Sequence, residues 1–286
     1  MLLNTFCHLP GIGTKTEENL WSTGVTSWDE FLAQCRPTKT HSAAKRSWPK
    51  YIAESRQHFE NQNAQYFSSL LPSQQQWRLF KEFGDSCAYL DIETTGLGNY
   101  QDHVTTVAVY DGKQLKCYVH GINLDDFPLD VQKYQVLITF NGKTFDVPFL
   151  ERQFGTSFEQ AQIDLRYVLK SLGYGGGLKA CEKKLGLERP GLQDIDGADA
   201  VTLWNKYKRK KDRKVLETLL AYNVEDTVNL QTLMVEAYNR KVRLTPFAET
   251  HCLPTPPRVE NPYSADPNIV EDLRSTKSWT LSFPRK

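Results

Sequence analysis

What this 286-residue chain lacks narrows it first. It has no excess of charge: 35 basic residues face 34 acidic ones. No global field announces a polyanionic partner, and any basic surface has to be local. The six cysteines, Cys7, Cys35, Cys87, Cys117, Cys181 and Cys252, include no C-x-x-C pair. Their scatter argues against a zinc knuckle and against a disulfide framework, and it suits a reducing compartment. No apolar run approaches the roughly 20 residues that span a bilayer, and the N-terminus lacks the basic-then-apolar pattern of a secretion signal. The expectation is a soluble, cytoplasmic protein with no membrane partner. The length is enough for one large domain or two small ones.

Residues 1–84 read as a helical, polar region. Thr14 with Glu17 and Ser27 with Glu30 have capping-box spacing, and a charged stretch runs from Arg36 to Lys50. Trp77, Phe80 and Phe83 line one face of a predicted helix over 73–83. From Cys87 the texture changes to strands at 87–92, 104–110 and 114–119, with Asp111-Gly112 as a hairpin signal between the last two. A helix over 124–133, a strand over 136–140, a helix after Asp146, a strand over 162–165 and a set of helices ending at 214–239 follow. The pattern predicts an α/β fold: a three-strand antiparallel meander continued by parallel strands, flanked by helices. The expected units are a helical region at 1–84, an α/β domain at 85–242 and a tail at 243–286. Seven of the fourteen prolines fall between Pro246 and Pro284, so the tail is expected to be extended or disordered, draped over the domain.

The strand Ala88-Tyr89-Leu90-Asp91-Ile92-Glu93 runs on into Thr94-Thr95-Gly96-Leu97. Residues two apart share a face of a strand, so Asp91 and Glu93 project together while Leu90 and Ile92 enter the core. Two like charges held that close repel unless a cation lies between them. Taken alone, the pair also fits a solvated face. Asp146, in Asn141-Gly142-Lys143-Thr144-Phe145-Asp146-Val147-Pro148, is either another acid of the site or the cap of the next helix. Gly142 permits a tight turn there. Tyr222 and Asp226 lie four apart on the last long helix, above a stripe of Leu219, Leu220, Val224 and Leu230. They are either part of the same site or a surface hydrogen-bonded pair.

Asp-x-Glu on the first strand, Asn-Gly-x-x-Phe-Asp after the fourth and Tyr-x-x-x-Asp on a late helix, in that order, resemble the DEDD exonuclease superfamily with its ribonuclease-H-like fold. The resemblance is to the tyrosine subgroup. The histidine subgroup carries His five positions before the last Asp, where this chain has Ala221. The segment Gly177-Leu178-Lys179-Ala180-Cys181-Glu182-Lys183-Lys184-Leu185-Gly186-Leu187 and the turn Asp196-Gly197-Ala198-Asp199-Ala200 are similar to those of YprB-type ribonuclease-H-like proteins.

The resemblance implies a 3'-5' exonuclease acting on single-stranded DNA or RNA ends. It implies two divalent cations, Mg²⁺ or Mn²⁺. Asp91, Glu93 and Asp226 would hold one ion, Asp91 would share the second, and Asp146 would hold that second ion largely through water. Oxygen-only ligands suit such hard cations, and a pair about 4 Å apart supports in-line displacement at phosphorus. Tyr222, whose phenol is a weak acid, would orient the attacking water. Thr94, Thr95 and Leu97 would line the pocket for the terminal nucleotide. Asn141 and Phe145 join this substrate side, although positioning Asp146 and packing the core suit them better. A structure-selective endonuclease of the same fold and an inactive nucleic-acid-binding module stay open as alternatives.

Lys208, Arg209, Lys210 and Lys211 form a basic run before the motif-bearing helix, either a solvated loop or a guide for a strand. Leu9-Pro10-Gly11-Ile12-Gly13, with Leu20-Trp21 and Gly24-Val25, resembles the second half of a helix-hairpin-helix, though too few residues precede it for a first helix. Lys45, Arg46, Trp48 and Tyr51 mix basic and aromatic character, compatible with base stacking or with helix packing.

Overall fold

The computed structural model describes the backbone of residues 1–34 and 43–282 and the side chains of 1–34 and 47–277. Cys35, most of the charged stretch from Arg36, the side chains of Lys45 and Arg46, and Pro284 lie outside the described residues.

The helical N-terminal region comprises α1 (Thr14–Ser22), α2 (Trp28–Gln34), α3 (Ala43–Glu60) and α4 (Ala64–Leu70). A 3-10 stretch, Ser73–Leu79, then runs into α5 (Phe80–Phe83). The Ser27–Glu30 capping box forms: Glu30 N–H donates to Ser27 Oγ (3.3 Å), and Glu30 Oε2 accepts from Ser27 N–H (2.9 Å). The Thr14–Glu17 box does not. Glu17 is buried and accepts instead from Thr5 Oγ1 (2.6 Å), Phe6 N–H (2.6 Å) and Arg78 Nη2 (2.5 Å). A buried carboxylate needs a cation and several donors, and the fold supplies both far from the helix end. Trp48 donates its indole N–H to Pro10 O (3.0 Å) and packs on Phe31, as in the packing reading. Among the described residues, a 3-10 turn, Leu2–Asn4, precedes Leu9-Pro10-Gly11.

The sheet holds β1 (Cys87–Thr94), β2 (Val104–Tyr110), β3 (Leu115–Val119), β4 (Val136–Thr139) and β5 (Ala161–Asp164) in the order β3-β2-β1-β4-β5. The pairs β1–β2 and β2–β3 are antiparallel, and β1–β4 and β4–β5 are parallel, the mixed pattern expected. Gly112 takes φ +86° in the β2–β3 hairpin, while Asp111 Oδ1 accepts from the N–H groups of Lys113 and Gln114. The helix expected over 124–133 is broken into α6 (Phe127–Asp130) between two 3-10 turns. Pro128 in its first turn has no N–H to extend a preceding helix.

Next come α7 (Asp146–Phe154), α8 (Leu165–Lys170), α9 (Leu178–Leu185), α10 (Gly197–Lys210) and the 30-residue α11 (Arg213–Val242). Alternation in β1 divides the core. Leu90 and Ile92 pack with Val107, Leu137, Val147 and Leu150 on the α7 side. Tyr89, Ala108 and Ile138 face Val224, Val228 and Leu233 of α11, together with Phe6, Trp77 and Phe83 of the N-terminal region.

The tail is draped over the domain as expected, but it is not extended throughout. After α12 (Ala248–His251) it is extended against α11, where Asn239 bonds both backbone groups of Leu253 (2.8 Å each) and Asn261 Nδ2 donates to Ala221 O (2.8 Å). It then forms α13 (Pro267–Ser282), with Val270 and Leu273 buried beside Trp204 and Leu219. Pro267 stands at the first helical position, where a missing N–H costs nothing, so the proline starts this helix rather than breaking it.

Candidate active site

Strand β1 outruns its parallel neighbour. Its pairing with β4 covers only Cys87, Ala88 and Tyr89, while its pairing with β2 continues to Thr94 with a register shift between Glu93 and Thr94. The second half of β1 therefore borders a crevice at the carboxyl ends of β1 and β4, a common location for ligands in such sheets.

Into that crevice Asp91 and Glu93 project toward α11, which contributes Asp226. Each of the three carboxylates offers an oxygen, and these oxygens lie within 4.8 Å of one another. From the other side Asp146 opens α7. It is buried, and the Ile92 backbone between the two β1 acids hydrogen-bonds its carboxylate. Asp146 is the first residue of α7 and not its cap, since Phe145 holds the cap position and no side chain bonds there. The turn that delivers it is built around Gly142, where a Cβ would lie 2.2 Å from Thr139 Oγ1. Only glycine allows that approach.

Burial, followed by repulsion from the other carboxylates, holds Asp91 and Glu93 well above the usual carboxyl range. Burial also pushes Asp146 up to about 7. These shifts mark acids crowded together with too little positive charge. The donor set is oxygen alone, which fits a hard divalent cation rather than zinc or copper. Tyr222 is buried next to them. Burial and then the charges of Asp226, Glu93 and Asp91 raise its phenol far above the ordinary value, so it stays protonated.

Several residues that sequence reasoning missed hold the arrangement. Asn223 donates from Nδ2 to Asp91 Oδ2 (2.7 Å) and to Asp91 O (3.2 Å), and its Oδ1 accepts from Thr106 Oγ1 (3.0 Å). It follows Tyr222 in the chain, and its burial was the missing signal. Arg189, in the loop after α9, bonds Asp226 through Nη1 and Glu182 through Nε (2.5 Å) and Nη2 (2.8 Å). Asn229 Nδ2 also donates to Glu182 (2.9 Å). Lys179, on the first turn of α9, places its ammonium 4.7 Å from the centre of the Tyr222 ring. Asp164, at the end of β5, accepts from the backbone N–H of Asn141 (2.8 Å), Lys143 (3.2 Å) and Arg166 (3.0 Å), fixing the loop before Asp146.

The sequence-predicted substrate residues are dispersed. Thr94 is buried and donates to Gly96 O (2.6 Å), and Thr95 Oγ1 accepts from His103 N–H (3.0 Å). Leu97 is 92% exposed just beyond them, and Tyr100 is 99% exposed. Asn141 accepts from Thr144 and Arg166, and Phe145 packs on Phe149. Lys208, Arg209 and Lys210 form the exposed last turn of α10, and Lys211 is its left-handed cap. From the start of α11, Tyr222 is roughly 14 Å along the helix axis at the usual rise per residue. The basic run is therefore separate from the acidic cluster.

The five described cysteines are all free thiols. Among the described residues no helix is long and apolar enough to cross a membrane.

Residues 88–238 match the RNase_H_2 family model, described as the RNase_H superfamily. No curated protein matches the chain. Among solved structures, the chain is similar to the family B DNA polymerase from the hyperthermophilic archaeon Pyrobaculum calidifontis, with 17% identity and a TM-score of 0.41. That likeness covers 55% of this chain but only 24% of the polymerase. Brucella melitensis NrnC with bound Mg²⁺ is similar at 17% identity and a TM-score of 0.40, over 71% of this chain and 89% of that one. The same protein bound to pGG gives 18% identity and a TM-score of 0.29, over 61% and 93%.

Proposed function

The chain belongs to the RNase_H superfamily, and from that premise we propose that it is a metal-dependent 3'-5' exonuclease of the DEDD tyrosine subgroup, close to the YprB type. It removes nucleoside monophosphates from the ends of single-stranded DNA or RNA, in the cytoplasm. One observation carries this reading: Asp91, Glu93 and Asp226, remote in sequence, converge with their oxygens within 4.8 Å, and Asp146 abuts them. Crowding like charges in a buried site costs stability, and a site that binds cations recovers it.

Asp91, Glu93, Asp146 and Asp226 would hold two Mg²⁺ or Mn²⁺ ions, which when bound supply charge neutralisation at the phosphodiester and at the departing oxygen. The chain's own residues do the rest. Asn223 fixes the Asp91 carboxylate, and Arg189 fixes Asp226. Tyr222, protonated, is a hydrogen-bonding partner for the attacking water rather than a base. Leu97, exposed beyond Thr94 and Thr95, offers an apolar surface to a terminal base. The exposed cations Lys208, Arg209, Lys210 and Lys211 attract the strand through its phosphates.

The test is end-labelled single-stranded DNA and RNA incubated with Mg²⁺ or Mn²⁺, with products resolved by length. A ladder shortening from the 3' end is expected. It should vanish with chelator and in Asp91→Ala or Asp226→Ala, each folded by circular dichroism. Cutting of a circular strand would replace the exonuclease with an endonuclease. Binding without metal-dependent turnover would reduce the protein to a binding module.

A further inference from the structure

Among the described residues, two cations stand at the wall of the acidic site, and they are differently engaged. The guanidinium of Arg189 is engaged through all three of its nitrogens, twice to Glu182 and once to Asp226. The Nζ of Lys179 is shielded from solvent and has no hydrogen-bond partner among the described residues. It sits over the Tyr222 ring, a weak substitute for the three acceptors an ammonium can engage. Burial lowers the Lys179 pKa, yet the acids are near enough for the charge of Asp226 to oppose that shift. Lys179 in turn opposes the burial that raises Glu93. A buried cation beside carboxylates, bonded to none of them, is held back for something else.

The surroundings leave room for a ligand. On the side away from the acids, Lys179 and Arg189 line, with Lys183, Glu182, Glu188 and Asp194, a cavity of about 700 Å³, large enough for a nucleotide-sized group. Metal ions gain nothing from an ammonium at the rim of their cage, whereas an anion bridging the two does. The turn before Lys179 is also constrained: Gly176 has φ +109°, and a Cβ there would lie 2.8 Å from that of Ala180. Behind Lys179, the Glu182–Arg189–Asp226 chain ties α9 to α11.

We propose that Lys179 grips the substrate phosphate, its ammonium donating to a nonbridging oxygen of the phosphodiester that is cut. The proposal deepens the nuclease reading and rests on it. It assigns α9 and its following loop two separate tasks: Arg189 positions Asp226, and Lys179 touches substrate.

Binding of a fluorescently labelled single-stranded oligonucleotide, followed by anisotropy in Ca²⁺, tests this apart from turnover. A second probe carries an uncharged methylphosphonate at its 3'-terminal linkage. Wild type should bind the methylphosphonate probe about tenfold more weakly than the natural one, the scale of one charge-assisted hydrogen bond. Lys179→Met should narrow this difference to what the bound cations alone impose, and Lys179→Arg should restore part of it. In Mn²⁺, Lys179→Met should lose about 10²-fold in kcat, comparable to removing one oxyanion donor. Its Mn²⁺ affinity by calorimetry should stay within about twofold. The idea is overturned if Lys179→Met still discriminates the two probes as wild type does, or turns over normally. Should Lys179→Met fail to fold, the comparison of wild type with Lys179→Arg decides, since an unaltered preference in the longer, planar cation would contradict a fitted contact. A wild type that hydrolyses neither DNA nor RNA would refute the nuclease reading, while the probe comparison would still judge Lys179.

Discussion

At the residue scale the site is organised by neutral and cationic side chains that sit among acids. Asn223 is the clearest case, because both ends of its amide are used: it holds Asp91 with one and takes the Thr106 hydroxyl with the other. Asn223→Ala leaves Thr106 and Asp91 without these partners and should cost about 1–3 kcal/mol in urea unfolding, the usual penalty for orphaned buried groups. It should weaken Mn²⁺ binding in the same protein.

The carboxylates set a pH dependence whose sign is fixed by their shifts. Asp91, Glu93 and Asp146 have folded pKa values above their unfolded ones, so the folded state holds protons more tightly than the unfolded chain. The stability these three groups contribute to metal-free protein is therefore fully present below the unfolded carboxyl range. It is lost as pH rises, for Asp146 between 3.8 and about 7. A divalent ion bound as proposed would offset this by pairing with the ionised acids. Thermal melts across this range should show the increment in Tm from added Mg²⁺ growing with pH.

At the element scale α9 and its following loop do more than fill space. Glu182 is buried and takes three hydrogen bonds, two from Arg189 and one from Asn229, so α9, α11 and the loop form a single polar joint. Arg189→Ala would strand the Glu182 charge inside the protein and release Asp226. Breaking a buried pair from one side costs about 3–5 kcal/mol. Denaturant melts should rank this variant well below Lys179→Met, because Lys179 carries no comparable bonds. The loop between β4 and α7 is another such joint. Asp164 gathers two backbone N–H groups there and a third from Arg166 in α8, and the Asp146 carboxylate depends on that anchoring.

At the scale of the whole molecule, the N-terminal helices share one apolar cluster with α11 and the sheet, and the buried Glu17–Arg78 pair stitches residues 5–17 to the 3-10 stretch before β1. The acidic cluster and the basic end of α10 then stand on different parts of one body. Changing Lys208, Arg209, Lys210 and Lys211 together to Ala should leave kcat on short substrates nearly intact and weaken binding of longer strands. The slope of log affinity against log salt should flatten by about 0.7 for each phosphate no longer neutralised. Anisotropy titrations at several salt concentrations check this.

Much of the architecture was legible in the chain because local signals and tertiary demands agreed. Strict alternation in 88–93 determined which side chains of β1 face which layer, and Asp111-Gly112 determined the hairpin, since both depend on neighbours in sequence. The closing helix of the tail was missed and the Thr14–Glu17 box misjudged for the converse reason. A proline reads as a breaker until its place at a helix start is known, and Glu17 spends its oxygens on partners as distant as Arg78. The order Asp91–Glu93, Asp146, Tyr222–Asp226 carried the chemical class. Convergence of these acids, the cations that face them and the bonding of Arg189 against the isolation of Lys179 were decided by folding alone, because charge at a site depends on distance and burial, which a sequence does not contain.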